Sequence, residues 1–177
     1  MKILLVDDQR AIVESIQKGI EWENIGIDET YIACSAAEAK LILVNFPVDI
    51  MLCDIEMPGE DGLSLLQWTK EQKMDVCCIF LTAHAEFSYA KKALQLGGFD
   101  YILQPVKYTE IEKVVQKACE HVKKEKAVQW MQKTQKELMQ NRDIFLSALL
   151  YRAGQKEYEE ADKAFLQLVQ FQKLDRK

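Results

Sequence analysis

Apolar positions along this chain follow two rhythms, short unbroken runs alternating with stretches in which they recur every three or four residues. The first run, Lys2 to Val6, ends at Asp7-Asp8 and reads as a buried strand whose carboxyl end carries acids. Ile12, Ile16 and Ile20, with Val13 beside them, then predict an amphipathic helix. Residues 28–34 read as a second strand. Ser35 is placed to cap the next helix, with Glu38 completing a capping box; that helix carries Ala36, Ala39, Leu43 and Phe46 and stops at Pro47. The third strand, 48–53, leads straight into Asp54, and Met57-Pro58-Gly59 signals a turn. Gly62 to Lys70 reads as helix, 76–82 as a fourth strand, and Ala85 to Leu96 as a helix ended by Gly97-Gly98. Phe99 to Leu103 is a fifth strand, closed by Gln104-Pro105. Five strands alternating with helices predict an α/β fold with a parallel sheet. Strands that are apolar without alternation suit a sheet covered on both faces.

Past Pro105 the rhythm becomes helical alone. No Gly or Pro occurs before Gly154, and good helix formers dominate. Ile111, Val115, Ala118 and Val122 repeat at 4-3-4, which suits a helix laid on the sheet. Val128, Met131, Gln135, Leu138, Arg142, Phe145 and Leu149 continue at alternating threes and fours, the spacing of a seam against a partner helix. An amphipathic helix packed within its own chain would give the same pattern. Gly154 is expected to end this helix, and Tyr158, Ala161, Phe165 and Leu168 are spaced for another. The expected division is a domain over 1–120 and a helical, coiled-coil-like extension over 121–177.

Charge supports that division. Residues 1–104 carry 8 basic and 17 acidic side chains, a balance of −9, whereas residues 105–177 carry 15 and 11, a balance of +4. The basic excess is too diffuse to argue for nucleic-acid binding. Apolar residues make up 49% of the chain and charged residues 29%, a globular profile. No apolar run approaches the roughly 20 residues that span a bilayer, and the short run at the N-terminus meets two acids at once, unlike a signal peptide. The expected location is cytoplasmic. Cys34, Cys53, Cys77, Cys78 and Cys119 show no metal-ligand spacing and read as reduced thiols, with Cys53 and the Cys77–Cys78 pair as small core residues. His84 and His121 have no partner at ligand or nucleophile spacing; His84 reads as a loop residue near the strand ends. Trp22, Trp68 and Trp130 read as packing residues on helices.

In a parallel α/β sheet, chemistry collects beyond the carboxyl ends of the strands. Those ends offer Asp7 and Asp8, Asp54, Thr82 and Gln104. Taken singly, each acid could be a helix cap or turn residue; together they place three carboxylates at one edge. Three carboxylates in one place repel unless one is protonated or a cation sits among them. All-oxygen ligands suit a hard cation, and Mg²⁺ accepts a few carboxylates while keeping waters or phosphate oxygens. A carboxylate beside Mg²⁺ can accept a phosphoryl group, a reaction that needs mainly positioning and charge neutralisation. Thr82 would offer a hydroxyl to a phosphate oxygen.

The segments LLVDDQ at 4–9, DIEMPGEDGL at 54–63, LTAH at 81–84 and GGFDYILQPV at 97–106 resemble, in order and spacing, the receiver domain of two-component response regulators. The resemblance covers roughly residues 1–120. It implies a flavodoxin-like (βα)5 fold with strand order 2-1-3-4-5 and a phosphoacceptor signalling protein rather than an enzyme. Asp54 would be phosphorylated by a sensor histidine kinase. Asp8 and Asp54 would ligate Mg²⁺ directly, Asp7 through water and Glu56 through its backbone carbonyl. Thr82 and Tyr101 would act as the switch pair, and a cis bond is expected before Pro105. Homodimerisation is expected through the face of the fourth helix, fifth strand and fifth helix, roughly residues 85–120, or through the extension. The extension itself resembles the linker of response regulators with AraC-type DNA-binding outputs. The 23 residues after Gly154 are too few for a paired helix-turn-helix, so DNA would be reached only through an output domain outside this chain.

Gln104 departs from the family, which has lysine before this proline. Glutamine donates a hydrogen bond but brings no charge, and loss of a charge-assisted bond to phosphate costs about 1.5–3 kcal/mol. A degenerate receiver acting by protein contact is therefore the main alternative. A dehalogenase-like phosphatase would need a DxD motif after the first strand. A flavin-binding module would need a phosphate-cradling loop where Asp7-Asp8 stands.

Overall fold

The computed structural model describes residues 1–83 and 87–153. Among the described residues five strands alternate with five helices: β1 (Lys2–Val6), α1 (Arg10–Gly19), β2 (Glu29–Ala33), α2 (Ala36–Asn45), β3 (Ile50–Asp54), α3 (Gly62–Glu71), β4 (Cys77–Thr82), α4 (Phe87–Gln95), β5 (Asp100–Leu103) and α5 (Tyr108–Ala153). The strands form one parallel sheet in the order β2-β1-β3-β4-β5. This is the flavodoxin-like order. A 3₁₀ turn at Trp22–Ile25 joins α1 to β2, a detail that the apolar spacing does not signal. β5 starts at Asp100, one residue later than its apolar run.

Alternate strand residues feed two cores. On one face Leu4, Val6, Met51, Cys53, Cys78 and Phe80 pack with α2 and α3 residues such as Ala39, Leu43, Leu63 and Leu66. On the other, Ile3, Leu5, Ile50, Leu52, Ile79 and Ile102 pack with Val13 and Ile16 of α1 and with Ile111, Val115, Ala118 and Val122 of α5. The 4-3-4 stripe is thus the buried stripe of α5's first turns. The sheet is covered on both sides, which is why its central strands contain almost no polar residue.

Local signals act where they were read. The Ser35 hydroxyl accepts a bond from the Glu38 amide at 3.1 Å. The Glu38 carboxylate reaches back to the Cys34 amide at 2.8 Å, a capping box whose return bond falls one residue early. All five cysteines are free; Cys53, Cys78 and Cys119 are buried, while Cys34 and Cys77 are half-buried.

The chain divides into two compact units, 1–124 and 125–177. In the second, Val128, Met131 and Phe145 of the spaced stripe are exposed, and Leu138 and Arg142 half-buried. Trp130 is 61% exposed, so it does not pack as expected; Trp22 is buried and Trp68 packs against the core. His84, the expected helix end at Gly154 and the stripe at Tyr158, Ala161, Phe165 and Leu168 lie outside the described residues. No described helix is long and apolar enough to cross a membrane.

Candidate functional site

The ladder itself assembles the acids. Val6 of β1 pairs with Cys53 of β3, so the next residue of each strand, Asp7 and Asp54, emerges at the same edge. The Asp7 amide donates to the Ala33 carbonyl at 3.2 Å, holding the turn, and its carboxylate accepts from the Gln9 amide at 2.8 Å. Ligand oxygens of Asp7, Asp8 and Asp54 all lie within 4.8 Å of one another. Asp7 is buried, Asp54 half-buried and Asp8 exposed.

Such crowding has an electrostatic cost. Burial and the neighbouring Asp7 charge push the Asp54 carboxyl from 3.8 up to about 6, although the Glu56 and Ile55 amides favour its ionised form. Asp7 is also raised, chiefly by burial and then by Asp8, with the Gln9 amide opposing. Both carboxyls are raised chiefly because burial disfavours the ionised form, and the neighbouring acids add to it.

The loop from β3 to α3 forms the wall beside Asp54. It leaves the sheet through a bond from the Ile55 amide to the Leu81 carbonyl at 3.1 Å. It turns at Gly59, whose φ of 85° falls in the left-handed region that glycine tolerates. Asp61 caps α3 by accepting from the Ser64 amide at 2.6 Å, and the Gly62 amide returns to the Ile55 carbonyl at 2.9 Å. A Cβ at Gly62 would stand 2.2 Å from the Asp54 carbonyl oxygen, so only glycine lets α3 start this close. Asp8, Ile55, Glu56, Met57, Pro58 and Asp61 line an open cavity of about 390 Å³.

Thr82 ends β4 one residue beyond Leu81, the ladder partner of Asp54, and is fully buried. The Tyr101 ring is half-buried against the core on the α2–α3 side. The Gln104 backbone N–H donates to the Thr82 carbonyl at 2.7 Å, and the peptide bond between Gln104 and Pro105 is cis. Gln104 also borders a groove of about 470 Å³ with Ala11, Ile12, Ser15, Ala83 and Tyr108. The structure thus brings Asp7, Asp8 and Asp54 together, sets Glu56 in the adjoining wall, and bonds the Gln104 backbone to Thr82. The close approach at Gly62 escapes sequence reasoning, because a glycine at a helix start carries no sign of what it touches.

A doubly wound parallel sheet in the order β2-β1-β3-β4-β5, with acids from its first and third strands at one edge, is the architecture of receiver-type signalling domains. The family model described as response regulator receiver domain matches residues 3–116, and the chain belongs to that family. It is 36% identical over 110 residues to the uncharacterised transcriptional regulatory protein YesN of Bacillus subtilis, covering 62% of this chain and 30% of that one. An uncharacterised response regulatory protein of Staphylococcus epidermidis is 30% identical over 114 residues, covering 64% of this chain and 45% of the relative. The receiver domain of AraT, a response regulator from Geobacillus stearothermophilus, superposes with a TM-score of 0.63 at 32% identity, covering 71% of this chain and 97% of that structure. The chain spans less than half the length of these two curated relatives. Receiver domains serve signalling by histidine kinases and hold Mg²⁺ at an acidic cluster.

Proposed function

We propose that Asp54 is the phosphate acceptor of this receiver. In the reaction, the P–N bond of a kinase phosphohistidine breaks, a P–O bond to an Asp54 carboxylate oxygen forms, and the imidazole leaves. The observation that carries this reading is the gathering of three carboxylates, ligand oxygens within 4.8 Å, at the carboxyl edge of the sheet. That donor set is all oxygen and overcharged, which fits Mg²⁺. Asp8 and Asp54 would hold it directly, Asp7 through water, and the Glu56 carbonyl from the loop; when bound it supplies charge neutralisation for the incoming phosphoryl group. Thr82 presents its hydroxyl to a phosphate oxygen, and Tyr101 follows as the switch aromatic. The physiological setting is cytoplasmic. The output is self-association, through the α4–β5–α5 face or the exposed stripe of the extension, that controls an AraC-type DNA-binding domain outside this chain.

Incubation with acetyl phosphate and Mg²⁺, followed by peptide mass spectrometry, is expected to place one phosphate on Asp54 and none on the Asp54→Asn variant. Labelling elsewhere, or none, would favour a receiver that works by contact alone.

Gln104 favours a second reading, a receiver that acts by contact without efficient phospho-switching, since an uncharged amide stands where the family has lysine. Loss of a charge-assisted bond of about 1.5–3 kcal/mol leaves phosphorylation intact but weakens its link to the switch. Gln104→Lys is expected to leave labelling of Asp54 in place and to increase phosphorylation-dependent dimerisation, read by sedimentation velocity. An unchanged response in Gln104→Lys rules out this account.

A further inference from the structure

The loop beside Asp54 is gripped from outside the site. Lys40 lies on α2, and its ammonium stands 2.7 Å from each carboxylate oxygen of Glu60, in the β3–α3 loop. The same ammonium sits 5.2 Å from the ring centroid of Trp68 on α3. The lysine and glutamate side chains are only 27% and 36% exposed. A fully solvated lysine–glutamate pair holds little, because two long side chains must be ordered in water. Here one ammonium is shared by a carboxylate and an aromatic face, partly out of water, and three elements meet on it.

The position of Glu60 gives the clamp its consequence. The loop is bonded to the sheet at Ile55 and to α3 at Asp61 and Gly62. Between these ends it turns through Gly59, where nothing would lie within 4 Å of an added Cβ. Lys40 takes hold next to that open turn. The held segment carries the Ile55 and Glu56 amides that favour the Asp54 carboxylate, and it walls the acidic cavity.

We propose that Lys40 is a positioning residue, which through Glu60 and Trp68 fixes the β3–α3 loop so that the Glu56 backbone stays in place for Mg²⁺ beside Asp54. The proposal rests on the phosphoacceptor reading. Lys40 touches neither metal nor phosphate; it acts through the loop.

The test is a Mg²⁺ titration of the 177-residue chain followed by the NMR shift of the Glu56 amide. Lys40→Met keeps the stem on Trp68 and removes the charge; it is expected to weaken Mg²⁺ about ten-fold, the lower end for supporting partners of metal ligands. Glu60→Gln should act in the same direction, and the double variant should be no worse than Lys40→Met, because Lys40→Met already removes the ion pair. Lys40→Arg, which keeps a cation for both the Glu60 carboxylate and the Trp68 face, should recover affinity. In acetyl phosphate labelling, the Mg²⁺ concentration for half-maximal rate should rise in Lys40→Met more than the saturated rate falls. A Lys40→Met variant that binds Mg²⁺ like the parent, or losses that add in the double variant, overturns the clamp. A parent protein that binds no Mg²⁺ overturns the phosphoacceptor reading first and the clamp with it.

Discussion

At the scale of single residues, Asp54 is where the protein gives up stability for chemistry. Its carboxyl is raised from 3.8 to about 6 by burial and by Asp7. A carboxyl raised on folding holds its proton more tightly in the folded chain, so the ionised form opposes folding. That penalty is complete above about pH 6 and disappears below the ordinary value of 3.8. Asp54→Asn is therefore expected to raise the melting temperature near neutral pH, with a gain that shrinks as pH falls through this window. Added Mg²⁺ should narrow the gap by neutralising the parent's acids. A gain that is constant from pH 4 to neutrality would locate its origin elsewhere. The acids were legible in the sequence because a strand that ends in Asp declares where its side chain emerges, and three such ends share one edge. Their burial was not, because the depth of Asp7 is set by the Gln9 and Ala33 contacts around it.

At the scale of elements, local signals and long-range contacts differ sharply in how readable they are. The α2 start is written in adjacent residues: Ser35 and Glu38 satisfy the Glu38 and Cys34 amides between them. Ser35→Ala is expected to lower stability by about 1 kcal/mol, seen as a lower urea midpoint with an unchanged slope. A changed slope would mean that more than the cap was lost. The docking of α5 on α1 is written in no such neighbourhood. A Cβ on Gly19 would lie 2.3 Å from the Tyr108 ring, and the Tyr108 hydroxyl meets the Ser15 hydroxyl at 2.5 Å. Ser15 and Tyr108 are far apart in sequence, and neither residue type announces the other. The Lys40–Glu60–Trp68 contact is hidden for the same reason. Strand order, by contrast, follows from neither kind of signal; only the family motifs imply which strand ends meet.

At the scale of the whole molecule, the second unit carries a stripe that the proposed self-association would use. Val128, Met131 and Phe145 are exposed at 53%, 66% and 43%, an apolar stripe at heptad spacing. Apolar side chains repeated at three and four bind another helix with the same repeat, since each inserts between four side chains of the partner. Gln135 and Arg142 interrupt the stripe, and polar residues at such positions weaken the seam while limiting which registers are tolerated. A seam this short should associate weakly, within reach of a modest change in the receiver. On this reading Met131→Lys combined with Phe145→Lys abolishes self-association of the phosphorylated chain in sedimentation equilibrium, while labelling of Asp54 is unchanged. If dimers persist undiminished, association runs through the α4–β5–α5 face and the stripe serves another contact. If labelling itself falls, the substitutions have reached the receiver, and the stripe is not independent of it.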